Sequence, residues 1–363
     1  MIPIYKPMID DRELSNVIES VKSGWISSKG SFISEFENKF SSYMGKKFSI
    51  ATSNGTTALH LAVSALGIRP GDEVIVPDFT FVSPVNAVLY EHAKPVLVDV
   101  EKNLWGIDPD LIEKKITKKT KAIIAVHIYG NSAKIDEIRD IAEDHNLFLI
   151  EDCAESIGAK YNGKKVGTRG IISCFSFYGN KIITTGEGGM CLTEDDNINN
   201  RIRILRDHGM SQNRRYWHEI VGYNYRMTNL QAAIGVAQLS KIHTIIAKKK
   251  QIAKRYTEML PSQIDVQSND EMSDGVFWLF SILANNIKDK NRMVKVLNNA
   301  GVETRNFFYP VHIMPPYREL NFNPKEMKIS SKISNHGINL PSYPEITDSD
   351  INYISSLISN CIK

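Results

Sequence analysis

Lys181 sits between two unusual flanks. Upstream, Ile171-Ile172-Ser173-Cys174-Phe175-Ser176-Phe177-Tyr178 is apolar and β-branched or aromatic enough for a buried strand. Downstream, Gly186, Gly188 and Gly189 make a tight turn before a second apolar run, Met190-Cys191-Leu192-Thr193. A lysine held there is partly removed from water, which disfavours the ammonium form and prepares an amine nucleophile. A free lysine titrates at about 10.4, so a neutral amine at pH 7 needs on the order of 4 kcal/mol from its site. Attachment to an aldehyde cofactor meets the same need, and pyridoxal phosphate is the usual aldehyde. The competing reading is a lysine whose stem packs beneath the strand while its head reaches water.

A pyridoxal phosphate site needs a carboxylate for the pyridine nitrogen, a phosphate cradle and a flat side chain over the ring. Phe148-Leu149-Ile150-Glu151-Asp152-Cys153-Ala154 is an apolar strand ending in acids, where ligands bind along a parallel sheet, and makes Asp152 the pyridinium partner. Thr52-Ser53-Asn54-Gly55-Thr56-Thr57 is a small polar turn leading into an alanine- and leucine-rich helix. Helix N-termini bind phosphate through free N–H groups, and Gly55 permits close approach. Phe79 and Phe81 follow the strand Glu73–Pro77 and are the candidate ring covers. His127 and Tyr129 end another strand at the same rim, where a histidine is more commonly a hydrogen-bonded structural residue.

These positions require a sheet. Strands followed by helices recur at 73–77, 95–98, 122–127 and 147–150, which predicts an α/β domain with a mostly parallel sheet. Before it, helices are expected over 10–22, capped by Asp10 or Asp11 with Leu14, Val17, Ile18 and Val21 on one face, and over 34–44. Between them, residues 24–31 hold Trp25, small polar residues and a glycine at 24 and 30, which suits either a mobile loop over a ligand or a packed connector. A helix over 227–239 follows an aromatic- and asparagine-rich stretch. From about residue 248 a polar helix, a strand over 276–283, a helix over 291–300 and a strand over 302–308 form a smaller α+β unit, so a domain boundary falls near 245, dividing 1–245 from 246–363. Lys248-Lys249-Lys250 reads as a solvated face, and 321–335 as a polar surface loop.

With 44 Lys and Arg against 41 Asp and Glu, scattered along the chain, nothing argues for nucleic acid. No apolar stretch approaches the length of a membrane span. Four cysteines without CxxC spacing, three of them in or beside apolar strands, read as buried free thiols in a reducing cytoplasm. No metal site is expected.

Asn54-Gly55-Thr56, Glu151-Asp152-Cys153-Ala154-Glu155, Ser176 to Lys181 and Gly186-Glu187-Gly188-Gly189 together resemble the DegT/DnrJ/EryC1/StrS family of pyridoxal-phosphate-dependent nucleotide-sugar aminotransferases, over essentially the whole chain. The resemblance implies a fold-type I architecture, like that of aspartate aminotransferase, and amino transfer from L-glutamate to a nucleotide-linked 4-keto sugar. It implies that Lys181 anchors the cofactor and moves the proton, that Asp152 holds the pyridine nitrogen protonated, and that Phe81 covers the ring. Gly55, Thr56 and Ser176 would hold the phosphate, together with Asn224 reaching across a homodimer, and Glu155 would lie beside the ring. Trp25, Ser27, Lys29, Asn180, Arg305, Tyr309 and His312 are the expected substrate or interface contacts. Within the family, Gly24 to Gly30, Tyr216-Trp217-His218, Gly222 to Asn229 and Phe308 to His312 resemble members acting on GDP-4-keto-6-deoxymannose for O-antigen synthesis, with UDP- or dTDP-linked 4-keto-6-deoxyhexoses as the alternative. Two rivals remain: a dehydratase on the same scaffold, which carries histidine where this chain has Lys181, and a non-catalytic pyridoxal-phosphate-binding regulator, which would bring an added DNA-binding module.

Overall fold

The alternation of apolar runs with amphipathic stretches folds as an open sheet whose strands end where the polar turns begin. The structure, a computed structural model, describes residues 1–267 and 270–362. In chain order its first half runs α1 (Asp11–Lys22), α2 (Ser31–Met44), β1 (Phe48–Thr52), α3 (Gly55–Ala65), β2 (Glu73–Pro77), α4 (Ser83–Tyr90), β3 (Lys94–Val98), α5 (Pro109–Ile112), β4 (Thr120–Val126), α6 (Ile135–Asp144) and β5 (Phe148–Asp152). A short hairpin, β6 (Lys160–Tyr161) and β7 (Lys164–Lys165), precedes β8 (Ile172–Ser176), β9 (Gly189–Thr193) and α7 (Asp196–Arg206).

The large sheet has seven strands among the described residues, in the order β1-β9-β8-β5-β4-β2-β3. All neighbours are parallel except β9, which runs antiparallel to both β1 and β8 and pairs Gly189 with Thr52 and with Ser176. That register brings the ends of β1, β8 and β9 to one place. Beneath them α2 packs its aromatic stripe on the strand that leads to Lys181, with Phe40 and Phe175 ring centroids 4.9 Å apart and Phe36 and Phe177 5.1 Å apart.

The second half continues with α8 (Asn229–Ser240), α9 (Ile242–Met259), β10 (Asp265–Val266), β11 (Ser273–Asp274), β12 (Phe280–Leu283), α10 (Ile287–Asn299), β13 (Arg305–Asn306), α11 (Lys328–His336), β14 (Gly337–Leu340) and α12 (Asp348–Ile362). β10, β12, β14 and β13 form a smaller antiparallel sheet in that order. Tyr256, Phe280, Leu297, Ile338 and Ile354 build its core. No helix among the described residues is long and apolar enough to cross a membrane.

Several expectations change. α9 begins at Ile242 instead of about residue 248, and Lys249 on that helix is buried instead of facing solvent. Residues 328–336 are helical, not loop: the Asp99 carboxylate accepts the N–H groups of Ile329 and Ser330 and the Ser330 hydroxyl, a cap supplied from 230 residues away. The strand expected over 276–283 starts only at Phe280. α1 is capped by Asp10 as expected, but it buries Glu13 and Ser20 and leaves Leu14, Ile18 and Val21 exposed. Glu13 is satisfied inside by Gln238 and Lys241, both at 2.6 Å.

Residues 24–31 are tied down by one buried side chain. Asn229 Nδ2 donates to the Trp25 carbonyl at 2.7 Å and to Ser20 Oγ at 3.0 Å, its Oδ1 accepts from Phe32 N at 3.0 Å, and its own N–H donates to the Ser27 carbonyl at 2.7 Å. A Cβ at Gly30 would lie 2.3 Å from Asn229 Cγ, so the loop closes directly on this amide. Leaving buried partners unpaired costs about 1–3 kcal/mol each. Asn229→Ala is therefore expected to destabilise the protein by roughly 2–3 kcal/mol in chemical denaturation and to open residues 24–31 to limited proteolysis; an unchanged cleavage pattern would show that the loop is held by other contacts.

Candidate active site

α3 begins where β1 ends, and its N-terminus is built for an anion. Asn54 caps the helix by accepting the Thr57 N–H at 2.9 Å, which leaves the N–H groups of Gly55 and Thr56 without an acceptor among the described residues. Glycine is required at 55 because a Cβ would lie 2.8 Å from Ser176 Cβ, at the end of β8. Gly189 is required for the same reason on the other side, where a Cβ would lie 2.3 Å from the Asn54 carbonyl oxygen. Thr56 Oγ1 bonds Ser83 Oγ at 2.7 Å, completing a hydroxyl-rich rim.

This rim is one end of a cavity of about 720 Å³. At its floor the Lys181 amine lies 3.6 Å from Glu155 Oε1 and 3.8 Å from the ring centroid of Trp278. The Tyr5 hydroxyl donates to the Lys181 carbonyl at 2.5 Å, and Trp278 Nε1 donates to the Asn180 carbonyl at 2.6 Å, so the lysine's main chain is held from two distant segments. Burial pulls the Lys181 amine below an ordinary lysine, against the upward pull of Glu155 and Asp152.

Three acids stand within five residues and differ in what donates to them. Glu151 is buried, yet its carboxyl is held below the usual value: burial pushes it up, but His127 Nε2 at 3.1 Å and the N–H groups of Gly167, Arg169 and Gly170 outweigh that. His127 Nδ1 accepts the Ala133 N–H, so its proton sits on Nε2 and points at Glu151. Among the described residues only the Ala154 N–H donates to Asp152, at 3.0 Å, and burial raises its carboxyl. Glu155 accepts the Tyr129 N–H at 2.7 Å and is pushed up to about 7 by burial, with Lys181 opposing.

Of the residues singled out from the sequence, Gly55, Thr56, Phe81, Asp152, Glu155, Ser176, Asn180, Lys181 and Arg305 line this cavity. Phe81 is half exposed there, whereas Phe79 is fully buried against Tyr129 and Phe307. Asn224 is exposed outside the cavity and accepts from Arg226. Trp25, Ser27, Lys29 and Tyr309 are exposed and also stand outside it. His312 stands outside the cavity lining: its Nδ1 meets Asp78 Oδ2 at 2.7 Å and its N–H donates to Asp78 Oδ1 at 2.9 Å, a buried clamp after β2. Sequence reasoning missed Trp278, Phe308, Tyr225 and Tyr90 in the cavity wall. Trp278 was hidden inside an apolar run that reads as one strand, Tyr90 carries no local signal, and Tyr225 does not stand out from its neighbours in the aromatic- and asparagine-rich stretch.

The donor set fits pyridoxal phosphate. A helix N-terminus with two open N–H groups and a serine suits the phosphate, a buried carboxylate without a side-chain partner suits a protonated ring nitrogen, and a desolvated amine suits the aldehyde. The buried Asn180 Oδ1 has no donor among the described residues, which leaves a place for a ligand N–H or O–H.

Fold and site together define an aminotransferase, built on the fold-type I architecture. The chain belongs to the DegT/DnrJ/EryC1/StrS aminotransferase family, whose sequence profile matches residues 7–359. It is 44% identical to the GDP-perosamine synthase of Escherichia coli O157:H7, covering 99% of this chain and 98% of that protein. It is 45% identical to the GDP-perosamine synthase of Vibrio cholerae, covering 100% and 98%. Among solved structures, a putative sugar aminotransferase from Streptococcus pneumoniae in its PLP form superposes with a TM-score of 0.93 at 25% identity, over 100% of both chains.

Glu155 sets a pH dependence that the cofactor-free protein should display. Its folded value of about 7 stands above its ordinary value of 4.5, so the folded state binds a proton that the unfolded chain releases. The stability it contributes is complete below 4.5 and is lost as the pH rises through 7. Glu155→Gln should flatten that part of the stability–pH curve measured by denaturant titration; a curve of unchanged slope would place the proton elsewhere.

Proposed function

We propose that this enzyme transfers the amino group of L-glutamate to the C4 ketone of GDP-4-keto-6-deoxy-D-mannose, giving GDP-perosamine for a surface polysaccharide, with pyridoxal phosphate as cofactor. The observation that carries the chemistry is the buried amine of Lys181, 3.6 Å from Glu155, in a cavity shared with Asp152 and the open end of α3. The sugar is supported by three relatives named GDP-perosamine synthase, 43–45% identical over at least 99% of this chain. A lysine at position 181 speaks against the dehydratase alternative.

When bound, pyridoxal phosphate supplies an aldehyde and an electron-withdrawing ring that acidifies the donor's Cα–H bond. The chain's residues do the rest. Gly55, Thr56 and Ser176 would hold the phosphate, Asp152 the proton on the ring nitrogen, and Phe81 one ring face. Lys181 Nζ, kept poorly hydrated, is the base that takes the Cα proton of the amino donor. Arg305 and Asn180 would meet the substrates from the cavity wall.

A shared site between two copies accounts for side chains that one chain leaves unused. Leu14, Ile18 and Val21 on α1 and Tyr216, Trp217 and Val221 are exposed, and Asn224 lies outside its own chain's cavity. The compartment we assign is the cytoplasm, in keeping with four free, buried cysteines.

The substrate is tested by incubating the holoenzyme with ¹⁵N-glutamate and GDP-, UDP- or dTDP-4-keto-6-deoxyhexose and following ¹⁵N into the sugar by mass spectrometry. Transfer to the GDP sugar is expected to exceed the others in kcat/KM on the order of 10²-fold; transfer confined to another nucleotide would keep the aminotransferase and overturn the substrate. The shared site is tested by mixing Lys181→Ala and Asn224→Ala chains, each inactive alone. The reassociated mixture should recover roughly a quarter of wild-type activity, because half the dimers are then mixed and each of these holds one intact site of two; no recovery would mean that each chain completes its own site.

A further inference from the structure

Lys249 is enclosed in α9, and no carboxylate meets its amine among the described residues. Nζ donates instead to the Trp278 carbonyl at 2.9 Å, to Ser342 Oγ at 3.1 Å and to the Ser342 carbonyl. The Tyr5 ring lies 5.8 Å away, and burial draws the amine down to about 7. A cation in such a place is costly, and an apolar side chain of the same volume would fill it at no such cost.

What the amine holds is the main chain of the residue whose indole covers Lys181. Trp278 follows Phe277, a bulky aromatic at φ 51°, in the left-handed region that such residues avoid. On one side this segment is pressed against the Tyr129–Gly130 turn: the Val276 N–H donates to the Gly130 carbonyl at 2.8 Å, and a Cβ at Gly130 would lie 2.3 Å from Trp278 N. On the other side it is held by Lys249 and by Ser342 Oγ, which also accepts the Phe280 N–H at 3.1 Å. The indole then lies 3.8 Å from Lys181 Nζ and stacks on Tyr129, whose N–H fixes Glu155.

We propose that Lys249 is a positioning residue for Lys181: by pinning the strained main chain at Trp278 it holds the indole where it seals the reactive amine from water. Lys249 itself lines no part of the cavity. The proposal rests on the reading of Lys181 as the reactive amine. The titratable groups facing Lys181 are Glu155, Asp152 and Arg305, with Tyr5 bonded to its carbonyl, and Tyr5 is also the titratable group beside Lys249.

The test uses Lys249→Met in the full-length chain, stripped of cofactor, with Lys181 acetylation by acetic anhydride followed by peptide mass spectrometry between about pH 6 and 10. Loosening the indole admits water to the amine, so the Lys181 titration should move upward and its acetylation at pH 7 should fall roughly tenfold, one pH unit's worth. Trp278→Leu should do the same, and the double variant should shift no further than Trp278→Leu alone. A Lys181 curve that stays in place in a cooperatively folded Lys249→Met protein overturns the proposal, whether or not Trp278→Leu moves it. Should Lys249→Met fail to fold, Ser342→Ala, which removes one acceptor of the same amine, decides: a shift in the same direction supports the proposal, and none overturns it. Because labelling needs no substrate, a failure of the proposed sugar chemistry leaves this outcome readable.

Discussion

Everything at this site follows from keeping one amine out of water. Lys181 is reached from four separate parts of the chain: Tyr5 on its carbonyl, Glu155 on its amine, Trp278 over its face, and the aromatic layer of α2 beneath its strand. Burying a charge beside a single carboxylate at 3.6 Å seldom adds stability, since desolvation offsets most of the Coulomb attraction. The arrangement is therefore a local cost that the cores on either side must offset. The packing of Phe36, Phe40, Phe175 and Phe177 just below it does so where the strain is applied.

The three acids of residues 151–155 show how equal burial produces unequal chemistry. Glu151 collects a histidine and three main-chain donors and stays ionised as a knot between β5 and the loop ahead of β8. Asp152 has one main-chain donor and is left wanting a cation. Glu155 has one main-chain donor and a lysine at 3.6 Å, and titrates at about 7. Donor count, not depth, separates the structural acid from the two that face the cavity.

Much of this was legible in the sequence. The strand-to-helix alternation, the polar turn over 52–57 that leads into a helix and the apolar approach to Lys181 are local patterns, and each one appears where its pattern puts it. The failures are tertiary. Residues 328–336 form a helix that Asp99 caps from 230 residues upstream, and polar composition alone reads as loop. Lys249 is buried because α9 extends back to Ile242 and turns that face onto the carbonyls of Trp278 and Ser342. Trp278 escaped notice because Phe277 adopts a left-handed conformation in the middle of what reads as a continuous strand. The Asp78 bonds to the ring and N–H of His312 are likewise invisible in the sequence, since 234 residues separate the two.

The same strand-end geometry explains both the site and these misreadings. At the C-terminal edge of the parallel strands, carboxylates follow β2 (Asp78) and β3 (Asp99) and end β5 (Asp152). Two of them are spent on segments more than 200 residues away, fastening residue 312 and residues 329–330 onto the large sheet. The third is left for a ligand. The Asp78 clamp seats residue 312 just beyond Phe308, which lines the cavity, so the acid after β2 helps to hold one wall of the site without lining it. Position at a strand end thus marks an acid as important but does not say for what. The deciding fact is whether the chain supplies its own donors, and at Asp152 the described residues supply only one N–H.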